Sequence, residues 1–166
     1  MSERALEAIK GAILLERRGS TFYRSVADKT DNGAVAEVFR TMAAEEKKHE
    51  SVLNEHYSSL VRDGRLAAIS DVGGATEHDE EIINRHVKGE IEASGYEAAA
   101  ISAAMGLEKE AISYYDQKAS EGEGDTEREL YEWLSRWEQT HLEFLARMDR
   151  ALMEQVWFDN RFWPEI

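Results

Sequence analysis

Apolar side chains recur at alternating steps of four and three residues through most of this chain, and the register resolves into four long segments. In the first, Leu6, Ile9, Ile13, Glu16, Ser20, Tyr23 and Ala27 share one stripe, a spacing that predicts an amphipathic helix. Ser2 with Glu3 behind it offers an N-cap and an acidic first turn, and Asp31-Asn32-Gly33 is a polar stop. The second stripe is Val35, Phe39, Met42, Glu46, His49, Leu53, His56 and Leu60. It alternates four and three without exception, as a bundle seam does. Ser94 with Glu97 reads as a capping box opening a third helix, whose stripe is Ile101, Met105, Glu108, Ile112, Tyr115 and Ala119. Ser120 to Asp125 is the next turn, and Thr126 with Glu129 a second capping box. The fourth stripe follows as Leu134, Glu138, His141, Leu145, Met148 and Leu152.

Between Arg62 and Ser94 the periodicity gives way to a polar segment containing Gly64, Gly73 and Gly74. We read it as a crossover holding at most short helices, one of them around Asp79 to Lys88. Two short turns and one long connection make two helical hairpins, which is the all-α, ferritin-like arrangement of a four-helix bundle. The expected division is a bundle over residues 1–156 and an aromatic tail over 157–166, WFDNRFWPEI.

Glutamates and histidines stand on the stripes where apolar residues belong, and they repeat. Glu16 and Glu108, Tyr23 and Tyr115, Glu46 and Glu138, and His49 and His141 are each separated by 92 residues. Ile9 and Ile101, Phe39 and Tyr131, Met42 and Leu134, and Leu53 and Leu145 keep the same offset. The two hairpins are therefore expected to be related by a pseudo-twofold axis. Glu and His three apart on a helix project from one face. Two such pairs, Glu46/His49 and Glu138/His141, with Glu16 and Glu108 make four carboxylates and two imidazoles, the elements of a two-metal carboxylate site in a bundle core. Iron or manganese suits this donor set, and zinc would also bind. Two divalent ions balance four carboxylates, whereas four buried unpaired carboxylates would be very costly.

The repeat also discriminates within the second helix. Glu45 can reach His49 at a four-residue step, but its counterpart at the offset is Trp137, whereas Glu46 maps onto Glu138. Glu46 is therefore the expected ligand. Tyr23 and Tyr115 are expected to bond a ligating carboxylate of the opposite hairpin, core tyrosines with satisfied hydroxyls being the plainer account. His56 lies two turns beyond His49, about 10 Å along the axis, and reads as a buried, hydrogen-bonded histidine outside the site. His78 and His86 read as exposed polar residues of the crossover.

Composition narrows the function. The chain has 166 residues, 42% of them hydrophobic, and a single proline, enough for one helix-rich domain with its own core. It contains no cysteine, so thiolate zinc sites, iron–sulfur clusters and cysteine nucleophiles are excluded. A formal net charge of −14 argues against binding nucleic acid and favours a field that attracts cations. No apolar run approaches the roughly 18 residues a membrane span requires, and the N-terminus lacks a signal-peptide core, so the expected location is cytoplasmic with no membrane partner. Trp157, Phe158, Phe162 and Trp163 are too many aromatics to leave exposed, and suggest packing on the bundle or in a homodimer.

Glu16-x6-Tyr23, Glu46-Lys-Lys-His49, Glu108-x6-Tyr115 and Glu138-Gln-Thr-His141, with AMGLEKEAISYY from Ala104 to Tyr115, resemble the rubrerythrin family of ferritin-like proteins from about Ala5 to Met148. The resemblance implies two iron ions per site and reductive scavenging of hydrogen peroxide, or oxidation of ferrous iron by dioxygen or peroxide. Glu16 and Glu108 would be terminal ligands, Glu46 and Glu138 bridges, and His49 and His141 one cap each. Rubrerythrins proper also carry a four-cysteine rubredoxin module that delivers electrons, so here the reductant is expected to be an external electron-donor protein. They have a further glutamate one turn along helix 3, where this chain has Ala111 and Ile112. The alternative function is an iron- or metal-binding or storage protein without catalytic turnover.

Overall fold

Four long helices carry the whole described structure: α1 (Glu3–Lys29), α2 (Gly33–Asp63), α3 (Gly95–Glu121) and α4 (Asp125–Asp159). The computed structural model describes residues 3–67 and 95–159, the last five as backbone only. Helices α1/α2 and α3/α4 form two hairpins, and the hairpins meet along α1 and α3, giving the ferritin-like four-helix bundle. The short crossover helix expected around Asp79 to Lys88, the crossover histidines His78 and His86, and the aromatic side chains of the tail lie outside the described residues; α4 itself runs to Asp159.

The first hairpin turns where Asn32 caps α2. Its Oδ1 accepts from the amides of Ala34 and Val35, each at 3.1 Å, which satisfies two of the donors a helix start leaves open. The helix ends at Gly64, whose φ of 71° places it in the left-handed region that glycine adopts without penalty. The second hairpin turn departs from the expected Thr126/Glu129 box. Here α4 starts at Asp125, and Glu127 reaches back so that its carboxylate accepts from the Glu123 amide at 3.1 Å. Glu127 also takes a 2.9 Å bond from Arg4. A tie to the opposite hairpin thus selects which acid faces the turn, and Glu129 stays exposed.

The stripes of α1, α2 and α4 are buried as their periodicity predicts, apart from the half-buried Leu6 at the start of α1. On α3 the inward face is shifted: Ala104 and Ala111 are buried, while Met105 and Ile112 are only half-buried. The reason is the close approach of α3 to α1. Ala12 and Gly19 on α1 are buried at positions 92 residues before Ala104 and Ala111, so small residues from both helices face the seam. The Tyr114 hydroxyl comes down over Gly11, where no Cβ stands in its way, and donates to the Ala8 carbonyl at 2.8 Å. At the other end Thr30 donates to Glu97, joining the two hairpins again.

The apolar core is split in two. One cluster gathers Tyr23, Val35, Phe39, Met42, Ile101, Leu145 and Met148. The other gathers Ile9, Ile13, Leu53, Tyr115, Leu130 and Leu134. Between them lies a layer of buried polar side chains. No described helix is long and apolar enough to cross a membrane.

Candidate metal centre

All six residues singled out by the repeat enter the layer between the two apolar clusters. Glu16, Glu46, His49, Glu108, Glu138 and His141 are each at most 4% exposed. They form two groups of potential donors, Glu16/Glu46/His49/Glu138 and Glu46/Glu108/Glu138/His141. Within each group one donor atom per residue lies within 4.8 Å of all the others. Glu46 and Glu138 belong to both. The geometry therefore contains two overlapping four-residue clusters joined by two shared carboxylates.

Each imidazole points Nδ1 into the layer. His49 Nδ1 lies 3.2 Å from Glu16 Oε2 and 3.3 Å from Glu138 Oε1. His141 Nδ1 lies 3.1 Å from Glu46 Oε1, 3.3 Å from Glu138 Oε2 and 3.7 Å from Glu108 Oε1. Despite this crowd of oxygens, His141 Nδ1, Glu46 Oε1 and Glu138 Oε1 have no hydrogen-bond partner. Buried polar atoms are almost always partnered, so these convergent, unpartnered donors fit cations. An oxygen-rich set with two imidazoles is chemically suited to iron, manganese or zinc.

Electrostatics point the same way. Burial, then the facing Glu138 carboxylate, push Glu46 well above the usual carboxylate range. Glu108 is pushed up by the same two causes in the same order. Burial also opposes charge on Glu138, yet the facing His141 and His49 imidazoles outweigh it and hold Glu138 well below the usual range. For His49 burial disfavours the imidazolium, but the adjacent Glu138 and Glu16 carboxylates prevail and lift it to about 9. Without metal, protons compensate the charge that cations would otherwise neutralise.

The tyrosines cross between hairpins. Tyr23 on α1 donates to Glu108 on α3, and Tyr115 on α3 donates to Glu16 on α1. Burial, then the neighbouring carboxylates, raise both phenols well above their ordinary value, so they stay protonated and act as donors. A cleft between α1 and α3, lined by Leu15, Arg18, Gly19, Leu107 and Ala111, reaches Glu16, Glu46, Glu108 and Glu138. Arg18 and Glu110, themselves 92 residues apart, stand 3.7 Å from each other on these two helices.

Several neighbours of the layer escaped the repeat. Glu45 is buried, and its Oε2 lies 2.8 Å from His141 Nε2 on the opposite hairpin. Trp133 and Trp137 meet the His49 ring edge-on, with centroids 5.6 and 5.2 Å away. Glu50 is buried between Arg17 and Lys47, each at 2.6 Å. The signal for Glu45 was the secondary stripe Val38, Met42, Glu45, His49, which runs beside the main one. His56 is buried as expected, but not hydrogen-bonded at Nδ1, which has no partner; burial lowers its pKa.

A four-helix bundle with paired carboxylate–histidine clusters in its core defines the ferritin-like class of helical proteins. The chain belongs to the rubrerythrin family, whose family model, described as Rubrerythrin, matches residues 7–149. It is also similar in fold to a solved structure, a hypothetical protein from Pyrococcus furiosus, with a TM-score of 0.63, 24% identity and 91% of each chain covered. No curated protein matches the chain.

Proposed function

We propose that the chain is a di-iron carboxylate redox protein that reduces hydrogen peroxide or reacts with dioxygen, and that draws its electrons from a separate donor protein. The observation that carries this reading is the pair of overlapping donor clusters with Glu46 and Glu138 common to both. In it Glu16 with His49 and Glu108 with His141 would hold one ion each, and Glu46 and Glu138, common to both clusters, would serve both. When bound, an iron pair supplies two electrons and the Lewis acidity that polarises an O–O bond.

The chain's own residues set the conditions for that chemistry. Tyr23 and Tyr115 fix the orientation of Glu108 and Glu16 across the hairpin boundary, and a phenol that keeps its proton keeps the carboxylate aimed inward. The apolar clusters above and below exclude water from the layer, which strengthens every charge interaction inside it. The cleft between α1 and α3 is the route we assign to a small oxidant.

A second reading retains the metal pair without turnover, as binding or storage. It is favoured by the absence of cysteine from these 166 residues, which leaves them no thiolate iron to relay electrons. One experiment separates the two. The metal-free protein is loaded anaerobically with Fe2+ and mixed with H2O2 or air-saturated buffer while near-ultraviolet ferric absorption is followed. Oxidation faster than that of free iron, and repeated after addition of a reductant, supports the redox protein. Oxidation no faster than that of free iron leaves only the binding reading.

A further inference from the structure

The two histidines are equivalent in the repeat but not in the structure. On its outer side His141 places Nε2 2.8 Å from Glu45 Oε2, and both side chains are buried. The residue that corresponds to Glu45 at the offset of 92 is Trp137, and its indole stands edge-on to the His49 ring at 5.2 Å. Among the described residues no carboxylate is bonded to His49 Nε2. Trp137 also meets the His141 ring edge-on, at 6.1 Å, so what separates the two imidazoles is the acid bonded to His141.

Glu45 settles a tautomer. In the neutral ring, the form that binds a metal, a carboxylate that accepts from Nε2–H leaves the lone pair on Nδ1, and Nδ1 is the atom that faces Glu46, Glu108 and Glu138. A lone pair facing three carboxylate oxygens is repulsive unless a cation lies between them. A carboxylate behind a ligating imidazole also fixes the ring and makes its inner nitrogen a stronger donor.

We propose that Glu45 is a positioning residue that makes the two metal positions inequivalent, holding His141 Nδ1 as the stronger donor while His49, with no such acid among the described residues, remains the weaker. The inference rests on the reading that the six inner residues hold two ions. It implies stepwise loading: the ion beside His141 and Glu108 is bound more tightly, and the ion beside His49 and Glu16 is exchanged more readily. The helix pair α2/α4 therefore encodes a difference that the ligand set alone does not contain.

The test uses the full chain loaded with Zn2+ and isotope-labelled at the histidine nitrogens, read by NMR and by calorimetric titration. The unsubstituted chain is expected to bind two ions with separable constants. Both imidazoles should coordinate through Nδ1, and only one should carry a slowly exchanging, downfield Nε2–H. Glu45→Leu removes that resonance and weakens the tighter constant by about 10–100-fold. Glu45→Gln, which keeps an acceptor without the charge, retains the resonance at a shifted position with a smaller loss of affinity. In a His141→Ala background substitution at Glu45 should have no further effect on binding. If Glu45→Leu does not fold, Glu45→Gln carries the comparison. Two bound ions with indistinguishable imidazoles, or with constants and resonance unmoved by Glu45→Gln, would overturn the inference and leave the metal centre standing. Failure of the unsubstituted chain to bind two ions would bring down both.

Discussion

Two buried carboxylates, Glu46 and Glu138, contribute to both donor clusters, whereas the other four inner residues contribute to one each. That difference is measurable. Glu46→Ala should lower metal binding at both positions, while His141→Ala should leave one ion bound beside Glu16 and His49. Metal content per chain after anaerobic Fe2+ loading and desalting distinguishes them, and a chain that still binds two ions in either variant contradicts the assignment. The six residues were legible from sequence because an offset of 92 tests each candidate against an independent copy. Glu45 was not, for the same reason. Its job has no copy: the corresponding residue is Trp137, whose ring stands edge-on to His49, so a comparison of halves discards the acid that distinguishes the two histidines.

The helices position these residues through features of quite different legibility. Stripes on α1, α2 and α4 could be read directly, since each faces the core with large side chains at helical spacing. The inward face of α3 could not, because the seam with α1 demands small residues, and hydrophobic size points to Met105 and Ile112 instead of Ala104 and Ala111. Gly11 and Gly19 reveal how tight that seam is. A Cβ on Gly11 would fall on the Tyr114 hydroxyl, so Gly11→Ala should displace the ring, break its bond to Ala8 and cost about 1–3 kcal/mol, seen as a lower denaturation midpoint. A Cβ on Gly19 would come 3.2 Å from Glu46 Oε2 and 3.3 Å from its Cδ. Gly19→Ala gains about 0.8–1 kcal/mol of helix propensity but crowds a shared carboxylate. Its expected signature is weaker metal binding without a matching loss of metal-free stability; unchanged metal affinity would show that Glu46 shifts freely. At the hairpin turn, Asn32→Ala removes an acceptor from two amides and should cost about 1 kcal/mol. The Asn32 stop was visible as a polar break, whereas the role of Glu127 depends on Arg4 of the other hairpin, a contact no local motif contains.

The fold places its costliest groups between two apolar clusters, so its stability is tied to whatever neutralises them. His49 in the metal-free protein is raised from its ordinary 6.5 to about 9. A group whose folded pKa is raised contributes stability that is fully present below about 6.5 and is lost as pH climbs through about 9. Glu46 and Glu108, also raised, act in the same direction, the folded form releasing their protons only at a cost. Glu138 is lowered and acts oppositely, but only in acid, where its carboxylate is finally protonated. Metal binding reverses the trend in the alkaline direction, because ligands bind metal deprotonated and each ion displaces protons. A ligand that binds only the folded chain then adds stability that grows as its affinity grows. The metal-free melting temperature should therefore fall from pH 6.5 towards about 9, while the increment due to saturating Zn2+ rises over the same interval. Paired thermal melts with chelator and with metal measure both slopes. An increment that stays flat or shrinks as pH rises would mean that the protons on this layer and the metal do not compete for the same oxygens and nitrogens.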